Sequence, residues 1–412
     1  MTTRRALLVQ LPAAALAGGF LSRAAFAADK FVTIGITVPL TGSDAEQANL
    51  IKEGALMAVD EANAKGGVGG YRIEVLALDN GSATAGQYDP AQAATNARKL
   101  VNDANVVANV GPQMSGSGKA MAPVLSQGDV ATITPSSTNP DITDPKMAAT
   151  YRPGGKAIYF RTVTTDAYQG PNMANYFAQK LNVKTVYILD DSGAYGVGLA
   201  NAFEGQAKKI GMNVIAHDTL DPRETDYTTI LTKIKGTSPA ALYYGGSSQA
   251  GVKVVKQSYE ILPSIVKGGG DGVYSASLLK GAGYPAVEGW YATIAAPYLA
   301  DNPDVAPWTA RYTAKYGHGP TSYSFTAYDG VLVILDAVAR VAAAGRPVDR
   351  HSVRDAMQTA QVKTLQGVVS FDENGDIKDR TVSVFRYQHD AKYPDDDVLH
   401  QYKYLGVAPQ TA

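Results

Sequence analysis

Short runs of β-branched and other apolar residues recur along the chain, and most are separated by stretches whose apolar residues have helical spacing. Seven such runs lie at residues 31–38, 72–78, 106–110, 131–134, 185–189, 213–217 and 240–244. After the first run, residues 49–65 carry a helical pattern that Gly66-Gly67 ends. Strand, helix and strand at this spacing predict an α/β protein with parallel sheets covered by helices on both faces.

The pattern indicates two sheets rather than one. The chain has 412 residues, of which 45% are apolar, so two domains are expected. A stretch rich in Gly, Pro and Thr, residues 139–155, and an extended segment, 160–165, separate two series of strands and helices. A further helical region spans 308–344. Beyond it, residues 368–371 and 381–387 flank the turn Asp372-Glu-Asn-Gly-Asp376, which predicts a β-hairpin.

Small hydroxyl residues and glycines follow two of the predicted strands. One segment is Val110-Gly-Pro-Gln-Met-Ser-Gly-Ser-Gly118, and the other is Ile133-Thr-Pro-Ser-Ser-Thr138. Parallel sheets bind ligands at the carboxyl ends of their strands, and backbone N–H groups converging there can hold an anion. We therefore predict that Ser115 and Thr138 bind a carboxylate. The alternative is that these hydroxyl groups only cap the helices that follow.

The N-terminus has the pattern of an export signal over residues 1–27. Arg4-Arg5 precede the apolar residues 6–20, and Ala25-Phe26-Ala27 has the small-x-small spacing of a cleavage site. The paired arginines fit both the twin-arginine and the general secretory route. Pro12 interrupts an apolar stretch that is already too short to span a bilayer. The mature chain is expected to begin near Ala28.

Composition and motifs argue against several other functions. Lys and Arg total 37 against 38 Asp and Glu, so no nucleic-acid or anionic-membrane partner is expected. Cysteine is absent, which excludes disulfides and thiolate metal sites. Gln113 and Ser115 stand where a nucleophile elbow at Ser115 or Ser117 needs glycine, and Ser383 stands where a calcium loop starting at Asp372 needs glutamate. We expect no catalysis, no cofactor and no metal; a secreted hydrolase remains the weaker alternative.

Several short segments occur in an order and spacing that are typical of one protein family. They are Pro39-Leu-Thr-Gly42, Asn63-Ala-Lys-Gly-Gly67, Gly111-Pro-Gln-Met-Ser115, Ile133-Thr-Pro135, Arg161-Thr162 with Gln169-Gly-Pro171, Tyr195-Gly196, Tyr243-Tyr-Gly-Gly246 and Phe371-Asp-Glu-Asn-Gly-Asp376. Through nearly the whole mature chain, the sequence resembles periplasmic solute-binding proteins of the branched-chain amino-acid (leucine/isoleucine/valine) type. Proteins of this type are the receptor components of ABC importers.

The resemblance implies the type I periplasmic binding protein fold, in which two Rossmann-like lobes with parallel sheets are joined by three crossovers. The crossovers would fall near residues 161–166, 293 and 365–368. The N-terminal lobe would comprise 28–163 and 294–366, and the C-terminal lobe 164–293 and 367–412. The resemblance further implies a monomer in the periplasm that captures a small molecule and delivers it to an ABC permease in the inner membrane.

The resemblance also implies roles for individual residues. Ser115 and Thr138 would hold the carboxylate of the ligand, with help from the backbone of Ser136. Asp271 would bind the α-ammonium group, and Tyr195 would reach the ligand from the second lobe when the cleft closes. A charge-assisted hydrogen bond to Asp271 would distinguish amino acids from plain carboxylates. Without the resemblance, Asp271 would be interpreted as an ordinary turn residue.

Three positions of the expected side-chain pocket depart from the family pattern. Gln47 and Ser247 stand where relatives carry aromatic residues, and Tyr323 replaces another aromatic side chain. These changes make the pocket more polar or reshape it. The predicted ligand is therefore a branched-chain or other neutral amino acid, and the alternatives are an aromatic carboxylate, an amide or urea. A cytoplasmic ligand-sensing regulator of the same fold is disfavoured by the export signal.

Overall fold

The computed structural model describes residues 30–410. The predicted export signal lies outside these residues. Within the described part of the chain, no helix is both long and apolar enough to cross a membrane.

The described chain alternates between strands and helices. The strands are β1 (Phe31–Val38), β2 (Arg72–Asp79), β3 (Gly81–Ser82), β4 (Gln87–Tyr88), β5 (Val106–Val110), β6 (Ala131–Thr134), β7 (Tyr159–Arg161), β8 (Thr185–Asp190), β9 (Asn213–Thr219), β10 (Ala241–Gly245), β11 (Val266–Gly269), β12 (Tyr291–Ile294), β13 (Val362–Thr364), β14 (Gly367–Val369), β15 (Ser383–Tyr387) and β16 (Tyr402–Val407). Each of the seven strands predicted from the sequence is present, to within two residues at either end.

Helices follow most of the strands. They are α1 (Ala45–Ala64), α2 (Pro90–Asn102), α3 (Ser115–Gln127), α4 (Ala148–Tyr151), α5 (Asp166–Lys180), α6 (Ala194–Lys209), α7 (Thr228–Thr237), α8 (Ser248–Ile261), α9 (Ala276–Ala282), α10 (Ala306–Tyr316), α11 (Ser322–Ala343), α12 (Arg350–Gln358) and α13 (Val398–Gln401). Three short 3₁₀ helices span Pro140–Ile142, Pro145–Met147 and Asp271–Val273.

The strands form two principal sheets, as expected. The first is five-stranded in the order β2-β1-β5-β6-β7, and all of its strands are parallel. The second is seven-stranded in the order β16-β15-β12-β11-β10-β8-β9. It is parallel from β9 to β12, and β15 and β16 add an antiparallel edge. Each sheet is the centre of one lobe, so the α/β fold with two Rossmann-like lobes is confirmed.

Helix α11 belongs to the first lobe although it follows the strands of the second. It packs against α1, which buries Ile51, Ala55 and Ala58 on one face at helical spacing. The two helices approach so closely at Gly54 that an added Cβ would lie 2.2 Å from the carbonyl oxygen of Ser324, a distance that forbids any other residue. The chain therefore leaves the first lobe after β7, returns after β12 and crosses again before β15. The lobe boundaries given above remain predictions.

The predicted hairpin between residues 368–371 and 381–387 is wrong. Strand β14 pairs with β13, and β15 pairs with β12 and β16. Only a single bridge, from Phe371 to Ile377, closes the turn. Strand β15 instead buries Val384, Phe385 and Tyr387 in the second lobe, and this removal of apolar surface from water favours its pairing with β12 and β16.

The turn at 372–376 contacts a buried arginine. Arg161 is completely buried, and its Nε donates to Oδ1 of Asp376 at 2.7 Å. Its other nitrogens donate to the carbonyl oxygens of Ser137 and Asn139 at 2.6 and 2.9 Å. Arg161 thus fixes the loop that follows β6, one of the two segments predicted to bind an anion.

Candidate functional site

A cavity of about 50 Å³ lies between the two lobes, at the carboxyl ends of strands from both sheets. We call it the head-group cavity. The residues that line it are Asp44, Gln47, Gln113, Met114, Ser115, Ser136, Tyr195, Ser247, Ser248, Asp271, Gly272, Ser275 and Tyr323. Every site residue predicted from the sequence is among them except Thr138. The volume is sufficient for a few water-sized groups, which limits the cavity to part of a small molecule.

The first lobe contributes the start of α3 and the loop after β6. Ser115 is the first residue of α3, and its Oγ accepts hydrogen bonds from the backbone N–H of Asn139 at 3.2 Å and from Ser137 Oγ at 3.3 Å. Ser136 Oγ donates to the carbonyl oxygen of Gln113 at 3.0 Å. These contacts hold both segments beside the positive end of the α3 dipole, where an anion is favoured.

Thr138 occupies a different position. Its side chain is completely buried, and its carbonyl oxygen accepts the backbone N–H of Asp166 at 2.9 Å. Burial and the neighbouring charge of Asp271 raise the pKa of Asp166 well above its usual value. The buried hydroxyl of Thr138 has no hydrogen-bond partner among the described residues, and its contact with a ligand carboxylate stays a prediction.

Asp271 is the carboxylate at the second-lobe side of the cavity. Its Oδ1 accepts hydrogen bonds from Tyr195 at 2.6 Å and from Gln169 Nε2 at 3.0 Å, and its Oδ2 accepts one from the hydroxyl of Tyr323. Burial raises the pKa of Asp271, and these three hydrogen bonds act in the opposite direction. Because Tyr323 belongs to α11 of the first lobe, its bond to Asp271 joins the two lobes directly across the cavity.

Ser247 lies beside another buried carboxylate, that of Asp191. Its backbone N–H and its hydroxyl both donate to Oδ2 of Asp191, at 2.7 and 3.1 Å. Asp44 also lines the cavity, and its Oδ2 accepts the backbone N–H of Tyr88 at 3.0 Å. Burial raises the pKa of both carboxyls, and the charge of Asp191 adds to the rise at Asp44. Ser247 thus orients a buried carboxylate.

Further contacts close the cleft around the cavity. Asn139 Nδ2 donates to the carbonyl oxygen of Ala194 at 2.6 Å, and Lys280 Nζ lies 2.5 Å from Oε1 of Glu46. Both contacts join the first lobe to the second, so the structure represents a closed arrangement. Within residues 30–410, no group of three or more histidine, aspartate or glutamate side chains is placed to hold a metal ion.

Gln169, Asp44 and Ser275 are among the residues of the site that were missed in the sequence. Gln169 is part of the Gln169-Gly-Pro171 segment, and its Nε2 lies within hydrogen-bond distance of both Asp271 and Thr293 Oγ1. Asp44 follows Pro39-Leu-Thr-Gly42, and Ser275 follows Asp271 after one short turn. Gln169 lies within one of the family-typical segments, and Asp44 lies two residues after another. This proximity is the signal in the sequence that could have identified them.

Comparison with known proteins places the chain among its relatives. Residues 32–392 match the family described as periplasmic binding protein. The chain belongs to this family. The periplasmic binding proteins most similar to it include the leucine-, isoleucine-, valine-, threonine- and alanine-binding protein of Pseudomonas aeruginosa, which is 29% identical over 384 residues, covering 93% of this chain and 96% of that protein.

Other periplasmic binding proteins are similar over comparable lengths. The Leu/Ile/Val-binding protein homolog 2 of Brucella abortus is 31% identical over 365 residues, covering 88% of this chain and 92% of the homolog. The crystal structure of a leucine-binding protein from Thermotoga maritima has a TM-score of 0.78 and 25% identity, and covers 92% of this chain and 98% of that one. The type I periplasmic binding protein fold is thereby confirmed.

Proposed function

We propose that this periplasmic binding protein is the substrate-binding component of an ABC transporter and that it captures a neutral amino acid in the interlobe cleft. The proposal rests on one observation: groups that favour an anion and a group that favours a cation both line the head-group cavity. Ser115 and the start of α3 favour an anion on one side, and Asp271 favours a cation on the other. This arrangement complements the zwitterion of an α-amino acid.

Closure of the cleft is the proposed mechanism of capture. In an open form, the ligand would first contact one lobe, and Tyr195 and Asp271 of the second lobe would then bind it from the other side. A ligand that contacts both lobes shifts the equilibrium towards the closed form, because only that form makes all the contacts. The closed form would then dock on an inner-membrane permease, and residues 1–27 would direct export of the monomer to the periplasm.

Aromatic carboxylates are the main alternative ligands. A solute-binding protein of Rhodopseudomonas palustris with the same fold, 19% identical, was crystallised in complex with benzoate. In the present chain, however, a ligand without an amine would place no cation beside the buried carboxylate of Asp271. The buried charge would then be balanced only by hydrogen bonds from Tyr195, Gln169 and Tyr323, so such ligands should bind more weakly than an amino acid.

Titration calorimetry of residues 28–412 tests the proposal. We expect one-to-one binding of a neutral amino acid, and weaker or no binding of benzoate, amides and urea. Ser115→Ala should lower the affinity by roughly 10- to 150-fold, because hydrogen bonds to charged groups contribute about 1.5–3 kcal/mol. The matched control is Ser117→Ala. Ser117 lies in the same helix but does not line the cavity; its hydroxyl accepts a hydrogen bond from Asn80 at 2.7 Å. Its replacement should therefore lower the thermal stability of the protein and leave the affinity for the ligand unchanged.

Two results would contradict this. Unchanged affinity in Ser115→Ala would exclude the carboxylate site, and tighter binding of benzoate than of every amino acid would exclude the amino-acid assignment.

A further inference from the structure

A separate cavity of about 250 Å³ lies in the second lobe, at the amino ends of β11 and β12. The interlobe cleft is at the other end of these strands. Because β11 has four residues and Asp271 lies just beyond its carboxyl end, at about 3.3 Å per residue roughly 13 Å separate the two cavities. We call it the basal cavity. The residues of its wall that matter here are Lys267, Glu288, Trp290, Tyr291 and Arg386.

We propose that the basal cavity is a second binding site, which takes a small organic carboxylate between Lys267, Arg386 and the indole N–H of Trp290. The inference goes beyond the proposed function and does not depend on which ligand the cleft binds. It rests on three hydrogen-bond donors that surround one cavity and have no acceptor among residues 30–410.

The two cations of the basal cavity have no carboxylate partner. Among the described residues, neither Lys267 nor Arg386 forms a hydrogen bond or an ion pair, although Arg386 lies over the ring of Tyr291 at 5.6 Å. Burial lowers the pKa of Lys267 to about 8, and no neighbouring charge opposes this shift. Glu288 is the one acid in the described wall, and its Oε2 accepts the backbone N–H of His389 at 3.0 Å. The excess of positive charge favours an anion.

Trp290 adds a neutral donor next to Lys267. The side chain of Trp290 is 1% exposed, and its Nε1 has no acceptor among the described residues, whereas buried N–H groups in folded proteins nearly always have one. Gly268 of β11 is in register with Tyr291 of the parallel strand β12. Lys267 and Trp290, each one position earlier, are therefore neighbours on the same face of the sheet. An anion beside Lys267 would lie close to the indole.

Arg386 reaches the cavity from the other face. It pairs with Tyr291 across β12 and β15, so both side chains point away from the face of Trp290. An added Cβ at Gly289 would lie 3.4 Å from Nη2 of Arg386, so the guanidinium group lies beside the segment that leads into β12. Arg386 and Lys267 thus flank the amino end of β12, where a carboxylate would lie between them.

The remaining wall favours an organic anion over an inorganic one. Pro263 and Ile265 line the cavity together with the ring of Tyr291. An apolar body attached to the carboxylate would remove this surface from water, which phosphate or sulfate would not do. Two cations opposed by the carboxylate of Glu288 also suit one negative charge better than two.

The indole N–H resonance of Trp290 reports directly on the proposed contact. The chain has two tryptophans, and Nε1 of the other, Trp308, is also buried without an acceptor in the described part of the chain. We expect titration of ¹⁵N-labelled protein, residues 28–412, with 3-phenylpropionate to move the Trp290 resonance downfield with saturation, because the N–H gains an acceptor. The Trp308 resonance, assigned with Trp308→Phe, should stay in place. The uncharged 3-phenylpropionamide should cause no saturable shift.

Variants separate the basal cavity from the cleft. Lys267→Gln and Arg386→Gln should each weaken binding of 3-phenylpropionate at least about fivefold, because each removes a charged donor. The matched control is Lys256→Gln on α8, where the side chain is exposed and outside the cavity, and it should change nothing. Ser115→Ala should leave the Trp290 titration unchanged, since Ser115 lies in the cleft.

Four results would overturn the inference. They are no saturable Trp290 shift below about 10 mM 3-phenylpropionate, an equal shift with the amide, unchanged affinity in both Lys267→Gln and Arg386→Gln, and loss of the shift in Ser115→Ala, which would place the probe in the cleft. Failure of the protein to bind any amino acid would contradict the proposed function and leave these titrations unaffected.

Discussion

Asp271→Asn should reduce amino-acid affinity by about 30-fold to several thousandfold. Truncating one partner of a buried, hydrogen-bonded charge pair costs about 2–5 kcal/mol. The carboxylate accepts hydrogen bonds from Tyr195, Gln169 and Tyr323, and an amide in its place has only one oxygen to accept them. The ammonium group of the ligand would then face a neutral side chain that is itself a donor.

The matched control is Asp44→Asn. Asp44 lines the same cavity and is likewise buried, but its carboxylate accepts the backbone N–H of Tyr88 and none of the hydrogen bonds that Asp271 receives. We expect the affinity of the Asp44→Asn variant for the amino acid to differ from that of the unmodified protein by less than about fivefold, which is the usual effect of losing one neutral hydrogen bond. Equal losses in the two variants, measured by calorimetry, would show that general acidity of the cavity, and not Asp271, recognises the ligand.

The pH dependence of binding follows from the same group. Burial raises the pKa of Asp271, so this carboxyl takes up a proton at a higher pH than an ordinary aspartate. Affinity should therefore decrease as the pH falls through that raised pKa. The folding stability of the protein without ligand has the opposite pH dependence. Above the raised pKa the buried charge of Asp271 lowers this stability, and protonation at lower pH removes the loss. Stabilisation by ligand should consequently grow as the pH rises, as thermal unfolding with and without ligand would reveal.

Arg161→Met should lower the free energy of unfolding by about 3–5 kcal/mol, the cost of breaking a buried ion pair by removing one partner. Arg161 is completely buried against Asp376, and it also donates to the carbonyl oxygens of Ser137 and Asn139. Without the guanidinium group, these two carbonyl groups lose a buried partner and the loop carrying Ser136 loses its support. Ligand affinity should fall as well.

Urea unfolding measures this effect, with Arg223→Met as the control. Arg223 pairs with Asp221 in solvent, where its side chain is 85% exposed, so its removal should change the unfolding midpoint little. If both variants unfold at the same urea concentration, Arg161 does not hold the loop in the way described.

Much of the fold could be predicted because the seven strands identified in the sequence carry their own signal. Each is a short apolar run followed by a helical pattern, and local sequence determines both. The pairing of β15 could not be predicted, because it depends on the apolar surface that β12 offers from nearly a hundred residues earlier in the chain. At residues 368–371 the partner is local: β14 pairs with β13, which ends at Thr364, so a nearer hairpin replaces the predicted one.

In the site, too, some residues could be predicted from local sequence and others could not. Ser115 and Ser136 lie where the strand ends predict, since parallel strands bring their carboxyl ends to one edge. The carbonyl oxygen of Thr138 accepts the backbone N–H of Asp166, the first residue of α5, and no local pattern encodes that contact. Val398 lies beside Gln47 and Tyr323 in the cleft because β15 and β16, which flank it in the chain, bring the C-terminal segment there. Its apolar character alone gave no reason to consider it.

The contact of Gly54 with Ser324 has a consequence for synthesis of the chain. At about 5–20 residues per second, the ribosome needs roughly 15–55 s to pass from the first of these residues to the second. During that interval the apolar face of α1 has no α11 to cover it. The second sheet is likewise incomplete until β15 and β16, within residues 383–407, have been synthesised. The first lobe cannot finish folding until α11 has been made, and the second cannot until β16 has been made, so a product shortened before β16 should be removed by proteolysis as an incomplete protein.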